Sequence, residues 1–415
     1  MYTYWKIERT PFENNAWVDA SSTVIDGFYD PIFRDNIGDG KDTFDFKLTN
    51  FNGEYDDYFN IGDKILIYRK VNSTTVASSD LLVTGIIQDI SPTVDNRSNR
   101  IKITGTNFSE TLMRAITFVD GNGVTLDQFI QNALNVVTNF NDNFKVTWNT
   151  NNPSTKTDGN SFPQVYTKWY NKSLLQLLED YSTNKLTEDG NYYWYVDKDN
   201  TLVWGPRTND AIDTFNTSTD TYKSLKTKKD LKGVVNFAIV KGGLTPGGKS
   251  VSVRVDNAAS RVKHGFKPKI IVSKAKYIRA LINEDQLKHG GTDSDYPQAY
   301  PFTTSWTCNV TSYNSPASTE GSTVEVSSDT EYNTILEREA KFQLKQEGQQ
   351  YLDFRKNGKL QVTIELEPDT LWALGGVIEC TISSLNFTNK PMRVESREFS
   401  NNSIRYTLIE DVGTV

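Results

Sequence analysis

Alternating apolar and polar positions dominate the first 118 residues. Phe44, Phe46 and Leu48 alternate with Asp45 and Lys47, the period of two that sends successive side chains to opposite faces of a strand. Ile65 and Ile67 alternate with Leu66 and Tyr68, so that segment is apolar on both faces. Further strands are expected over 81–90 and 101–105. Asp39-Gly40, Asn52-Gly53 and the polar run 95–99 are the turn signals between them. Short strands at this spacing predict a small antiparallel barrel or sandwich.

The period changes near Val124. Leu126, Phe129, Ile130, Ala133, Leu134 and Val137 fall at helical spacing. Ser173 with Gln176 three residues on reads as a capping box that opens a helix over 174–181. Residues 192–196 and 201–204 form a predicted hairpin through Asp197-Lys198-Asp199-Asn200. Strands return at 234–240 and 251–255, with Gly242-Gly243 and Pro246-Gly247-Gly248 as their turn. Residues 285–330 are rich in Ser, Thr, Asn, Asp and Gly and read as an extended insertion with Trp306 as its anchor. Leu336, Ala340 and Leu344 stripe a helix expected over 331–351, capped by Asp329 or Thr330. After Asn357-Gly358, residues Leu360, Val362, Ile364 and Leu366 alternate with Gln361, Thr363 and Glu365. Strands over 376–383, 391–398 and 403–409 complete the chain.

The expected fold class is mainly β with α+β parts: two related antiparallel β-barrels, a small α+β domain and an irregular insertion. The expected division is a first barrel at 1–120, the α+β domain at 121–215, and the first strands of the second barrel at 216–264. A loop-rich insertion at 265–330 and a helix with the rest of the second barrel at 331–415 complete it.

The relation between the barrels is legible as a repeat. Residues 39–48, a turn and an alternating strand, have their counterpart in 357–366. Ile61-Gly62-Asp63-Lys64-Ile65-Leu66-Ile67 corresponds to Leu374-Gly375-Gly376-Val377-Ile378-Glu379-Cys380. The strand–turn–strand unit 83–105 corresponds to 392–408, with Ser400-Asn401-Asn402-Ser403 as its polar turn. Duplicated units in one chain can occupy equivalent places in a ring.

Composition narrows the function. The formal net charge of the 415 residues is -7, a poor prior for gripping nucleic acid, which needs clustered Lys and Arg. The two cysteines, Cys308 and Cys380, make no C-x-x-C motif and no disulfide framework. The two histidines, His264 and His289, are too few for a His-built metal site. MYTYWKIERTPF places no apolar core behind a basic start, so no secretory signal is expected. No stretch approaches the roughly 20 apolar residues of a membrane helix.

The pattern and order of Phe44-Asp45-Phe46-Lys47-Leu48, Ile61-Gly62-Asp63-Lys64-Ile65, Leu82-Val83-Thr84-Gly85-Ile86, the Ser173–Leu178 segment before Tyr193-Trp194-Tyr195, and Arg393-Val394-Glu395-Ser396-Arg397 to Tyr406-Thr407-Leu408 resemble the phage tail baseplate hub family. That family includes the late control protein D type, the T4-like hub and tail hubs of defective Bacillus phages. The resemblance covers about 1–120, 170–240 and 335–412. It implies a non-enzymatic homotrimer, made in the host cytoplasm and resident in the virion tail. That trimer adapts the sixfold tail tube ring to a threefold central spike. The barrels line a channel for the tape measure and for DNA in transit, with other baseplate proteins as neighbours. An acidic channel face is expected. The rival reading is a tail-tip protein that binds receptor or carbohydrate.

Several motifs invite other chemistry. Asp293 and Asp295, with Glu284 and Asp285, suggest a glycosidase-like carboxylate pair. They lie in a polar stretch with no apolar pocket to raise one pKa, so solvated loop charges are favoured. Asp197, Asp199 and Asn200 are part of a Ca²⁺-loop spacing without the rest of it; turn formation is favoured. Residues 243–250 match G-x-x-x-x-G-K-[ST], yet Val251, Val253 and Val255 keep strand rhythm where a phosphate loop opens a helix. Arg254, Arg261, Lys263, His264, Lys267 and Lys269 form one basic group, and Lys223, Lys226, Lys228, Lys229 and Lys232 another. Each reads first as a solvated face and next as a contact for an acidic protein. Tyr192, Tyr193, Trp194, Tyr195 and Trp204 could stack on sugars, but core packing is favoured. No catalytic, cofactor-binding or metal residue is assigned and no cofactor is expected.

Overall fold

The computed structural model describes residues 2–410 apart from 15, 38–41, 95–98, 122–123, 141–144, 156–158, 160–161, 163, 166–167, 180, 182–191, 207–209, 231–232, 245–249, 273–305, 311–321, 327–340, 342–343, 346–347, 350, 354 and 357–358. Its centre is a 13-stranded sheet. Those strands are β1 (Thr3–Thr10), β2 (Thr23–Ile25), β3 (Phe28–Asn36), β4 (Thr43–Thr49), β5 (Lys64–Val71), β6 (Leu81–Val94) and β7 (Asn99–Asn107) from the first part of the chain. The second part supplies β8 (Ala211–Asn216), β9 (Ser224–Asp230), β10 (Lys359–Leu366), β11 (Val377–Ile382), β12 (Phe387–Phe399) and β13 (Ile404–Glu410).

The strand order is β9-β10-β13-β12-β3-β4-β7-β6-β5-β1-β2, with β11 also on β12 and β8 on β11. The expected repeat is present in the wiring. In the first unit β4 pairs with β7, β7 with β6 and β6 with β5, all antiparallel. In the second, β10 pairs with β13, β13 with β12 and β12 with β11, again antiparallel. The register agrees residue by residue: Phe44 faces Gly105 as Val362 faces Leu408, and Lys64 faces Ile86 as Val377 faces Arg393.

A shared turn device fixes both copies. Gly62 (φ +97°) and Gly375 (φ +83°) hold backbone that side-chain-bearing residues rarely adopt. The Gly62 N–H donates to the Ile87 carbonyl at 2.9 Å, and the Gly375 N–H to the Val394 carbonyl at 3.0 Å. Ile87 and Val394 return the bond, to the carbonyls of Asp63 and Gly376, both at 2.9 Å. The register then shifts by one residue in each copy, between Ile87 and Asp89 and between Val394 and Ser396. Such a bulge bends the strand and re-aims the residues beyond it.

The two barrels share one apolar cluster, from Trp5, Phe44 and Ile103 to Ile364, Met392 and Leu408. A second cluster, running from Phe108 to Trp204, belongs to the α+β domain. Its helix Leu126–Phe140 buries Leu126, Phe129, Ile130, Ala133, Leu134 and Val137, as the spacing predicts. The Ser173 hydroxyl caps the short helix Leu174–Leu178 by accepting the Gln176 N–H at 3.1 Å.

Phe237–Leu244 and Ser250–Asp256, expected as first strands of the second barrel, pair instead with each other and with Pro268–Val272 in a separate sheet. Leu344 and Leu352 of the C-terminal helical segment cover that sheet, against Ala238, Val240, Val251 and Val255. Residues 268–272, expected as the start of the insertion, are thus a sheet strand. Periodicity marks a strand without naming its partner, which explains both differences. Of the helix expected over 331–351, residues 331–340 lie outside the described residues; helical positions recur from 341 to 355.

One close approach tests the barrel packing. A Cβ on Gly105 would sit 2.2 Å from Phe44 Cζ and 2.3 Å from the Ile86 carbonyl oxygen. Gly105→Ala is expected to destabilise the fold by about 1–3 kcal/mol or more through overpacking, read as a lowered denaturant midpoint with an unchanged slope.

Candidate assembly interface

The junction between the barrels is one short length of antiparallel pairing. Past its bulge, β12 leaves β11 and pairs with β3: Ser396 faces Asn36, Arg397 faces Asp35, Glu398 faces Arg34 and Phe399 faces Phe33. Phe33 and Phe399 stack at 5.9 Å between ring centroids and are both buried. The guanidinium of Arg69 lies over Phe399 at 5.4 Å and donates to the Pro368 carbonyl at 2.8 Å. Burial pulls Arg69 down to about 10.

Charge pairs cross the same seam. Arg397 Nε donates to both carboxylate oxygens of Asp35, at 3.0 and 3.1 Å, and Nη2 donates again to Asp35 Oδ2. Burial alone would lower the Arg397 value, but the Asp35 carboxylate outweighs it and holds the group above its ordinary value. Arg397 Nη1 also donates to the Trp372 carbonyl at 3.1 Å. On the more open side, Arg34 Nε donates to Glu398 at 2.6 Å, and Arg405 Nη1 reaches the other Glu398 oxygen at 2.6 Å. A fork-to-fork Arg–carboxylate pair specifies geometry as well as energy. Its net contribution to stability is small, but removal of one partner leaves a buried charge unpaired.

Asp42 sits beside this pair and is fully enclosed. It accepts the Asn36 N–H at 2.8 Å and the Asn107 amide Nδ2. Burial, reinforced by the charge of Asp35, raises its carboxyl well above the ordinary range. Asn107 also donates to the Val196 carbonyl at 3.3 Å, which ties the α+β hairpin to the seam.

That hairpin, Tyr192–Val196 with Thr201–Pro206, has one buried face and one half-buried face, and both pack against apolar cores. Tyr192 and Trp204 stack at 4.7 Å in the α+β core, where Trp194 is also buried. Tyr193 and Tyr195 stack at 6.2 Å on the opposite face and pack against the barrel core. Burial pushes Tyr195 up to about 12. These aromatics therefore pack between the domains, as the core reading expects.

The other candidates resolve individually. Asp197 Oδ1 accepts the N–H groups of Asp199 and Thr201 at 3.0 and 2.8 Å, and Asn200 adopts φ +60°, so this trio forms a hairpin turn. After residues 243–250 the chain continues as the strand Ser250–Asp256, so no helix N-terminus follows the glycine-rich segment. Arg261 pairs with Asp256 at 3.1 Å, while Lys263, Lys267 and Lys269 are exposed and His264 is half-buried. Lys223 bonds Glu367 at 3.4 Å, and Lys226, Lys228 and Lys229 are exposed along β9. Glu284, Asp285, His289, Asp293, Asp295, Lys232 and the Trp306 side chain lie outside the described residues. Among the described residues no group of three or more His, Cys, Asp or Glu side chains could hold a metal. No helix there is long and apolar enough to cross a membrane.

Two measurements probe the seam. Arg397→Met is expected to cost about 3–5 kcal/mol of unfolding free energy, and Asp35→Leu in that background little more; simple additivity of the two losses would contradict the pairing. Asp42 supplies a pH dependence. Its folded value is raised, so its contribution is complete below the unfolded carboxylate value and is lost as pH rises through the folded value. Unfolding curves of the native chain and Asp42→Asn should therefore shift in the variant's favour as pH rises from the unfolded carboxylate value toward the folded one; a difference constant with pH would refute the raised value.

No family model matches the chain, and no curated protein matches it in sequence. Solved structures do match along its whole length. A tail protein from Neisseria meningitidis MC58 superposes with a TM-score of 0.56 at 12% identity, covering 98% of this chain and 97% of that one. A 43 kDa tail protein of prophage MuSo2 from Shewanella oneidensis gives 0.54 at 12%, covering 98% of each. The prophage tail protein gp18 from Listeria monocytogenes EGD-e gives 0.52 at 11%, covering 99% and 95%. At these identities the likeness is one of fold, and the fold of this chain is that of the phage tail proteins.

Proposed function

We propose that the chain is a structural hub of a phage-type tail baseplate, acting as a homotrimer. Three copies carry six barrels of one wiring and so present near-sixfold symmetry to a tail tube ring and threefold symmetry to a central spike. The barrels line the channel through which the tape measure and then DNA pass, and other baseplate proteins pack outside. The role is assembly and not catalysis. One observation carries this reading: the two barrels repeat one strand order and register and meet edge to edge in a single sheet. Fold likeness to phage tail proteins supports it.

The rival carbohydrate-binding reading is less favoured at the hairpin, because Tyr192, Trp194 and Trp204 are buried in the α+β core and Tyr193 and Tyr195 are half-buried against the barrel core. The expected mass of the purified chain by light scattering is three times 47.0 kDa. A particle of one chain's mass at all accessible concentrations, with no capture of the tube ring, would refute the hub.

A further inference from the structure

The duplicated wiring leaves two strand edges whose counterparts are joined within the chain. At the seam, β12 residues 396–399 pair with β3 residues 33–36. The register identifies the equivalents. Ser396 faces Thr407 just past its bulge, as Asp89 faces Thr104 just past the bulge in β6. Phe33 faces Phe44, as Thr227 faces Val362. The counterpart of the 396–399 edge is therefore 89–92, and the counterpart of 33–36 is 227–230.

Among the described residues both counterpart edges are open. Among the described residues, 89–94 pair on one side only, with β7. The outer edge of β9 ends the sheet. Asp89, Pro92, Thr227, Lys228 and Lys229 are exposed, whereas Phe33, Asp35 and Phe399 at the chain's own seam are buried.

We infer that residues 89–92 of one copy pair antiparallel with 227–230 of the next copy, in the seam's register: Ile90 opposite Lys229, Ser91 opposite Lys228, Pro92 opposite Thr227. This rests on the trimeric reading and names the edge that builds it. The occupant is a second copy of this chain, because the chain already holds the counterparts of these two edges together once. In this register Asp89 falls directly opposite Asp230, a like-charge pair that weakens the contact, and diagonally from Lys228, within reach of its long side chain. Lys226, Lys228 and Lys229 also blunt β9 against indiscriminate edge pairing.

Cysteine cross-linking tests the register. The double variant Ser91→Cys with Lys228→Cys is made in a Cys308→Ser background. Cys380 stays silent because it is buried and its thiol is pushed up to about 12. Mild oxidation is expected to give a covalent species of threefold mass on non-reducing electrophoresis, with each single variant running as one chain. Light scattering on the reduced double variant separates the failures. A three-chain particle that does not cross-link overturns the edge assignment and leaves the trimer standing. A one-chain particle overturns both.

Discussion

The architecture hangs on the antiparallel pairing of Ser396–Phe399 with Phe33–Asn36. Without it the sheet is two units, each with an unpaired edge; with it there is one sheet and one shared apolar cluster. Four residues of backbone pairing are too few to fix a register alone. The Phe33–Phe399 stack contributes apolar burial, and the Arg397–Asp35 fork contributes alignment. A slip of one residue would send every side chain to the other face and strand a buried charge. The polar pair is thus best understood as a device for specifying the join, set in a site whose stability comes from the surrounding hydrocarbon.

The two copies diverge where their neighbours differ. In the first, the strand beyond β5 is β1, which runs antiparallel to it. In the second, the strand beyond β11 is β8, which runs parallel. The chain enters β8 from the aromatic hairpin, so the change of direction follows from inserting a domain between the copies. The inserted domain is not a passive spacer. Tyr193 and Tyr195 cover the barrel core, and the Val196 carbonyl accepts from the same Asn107 that holds Asp42. Hairpin and seam therefore constrain each other.

Much of this is legible in the sequence, for a physical reason. Strands with one buried face must alternate, so Phe44-Phe46-Leu48 and Val362-Ile364-Leu366 announce themselves, and Gly62 and Gly375 mark turns that demand positive φ. The equivalence of the copies follows from those signals in fixed order. Pairing partners are another matter. Phe237–Leu244 carries the rhythm of a barrel strand and yet joins a separate sheet, because its choice depends on Leu344 and Leu352 about a hundred residues on. The seam residues are silent for the same reason. Arg34, Asp35, Arg397 and Glu398 look like ordinary surface charges until the fold brings together positions 362 apart. The one available hint is that Asp35 occupies an inward position of an alternating strand.

The contrast between the closed seam and its open counterparts has a folding logic. An edge as apolar as Phe33 and Phe399 left exposed on a free chain would invite uncontrolled strand addition. The buried, aromatic version of the contact is found where both strands belong to one chain and meet during folding. The open edges carry Asp89, Ser91, Pro92, Lys228 and Lys229 instead, residues that tolerate water before assembly. In the proposed ring each copy would cover these two edges of its neighbours, and weak individual contacts would suffice when several form at once. A duplicated unit can in this way be strongly joined inside the chain and only conditionally joined outside it.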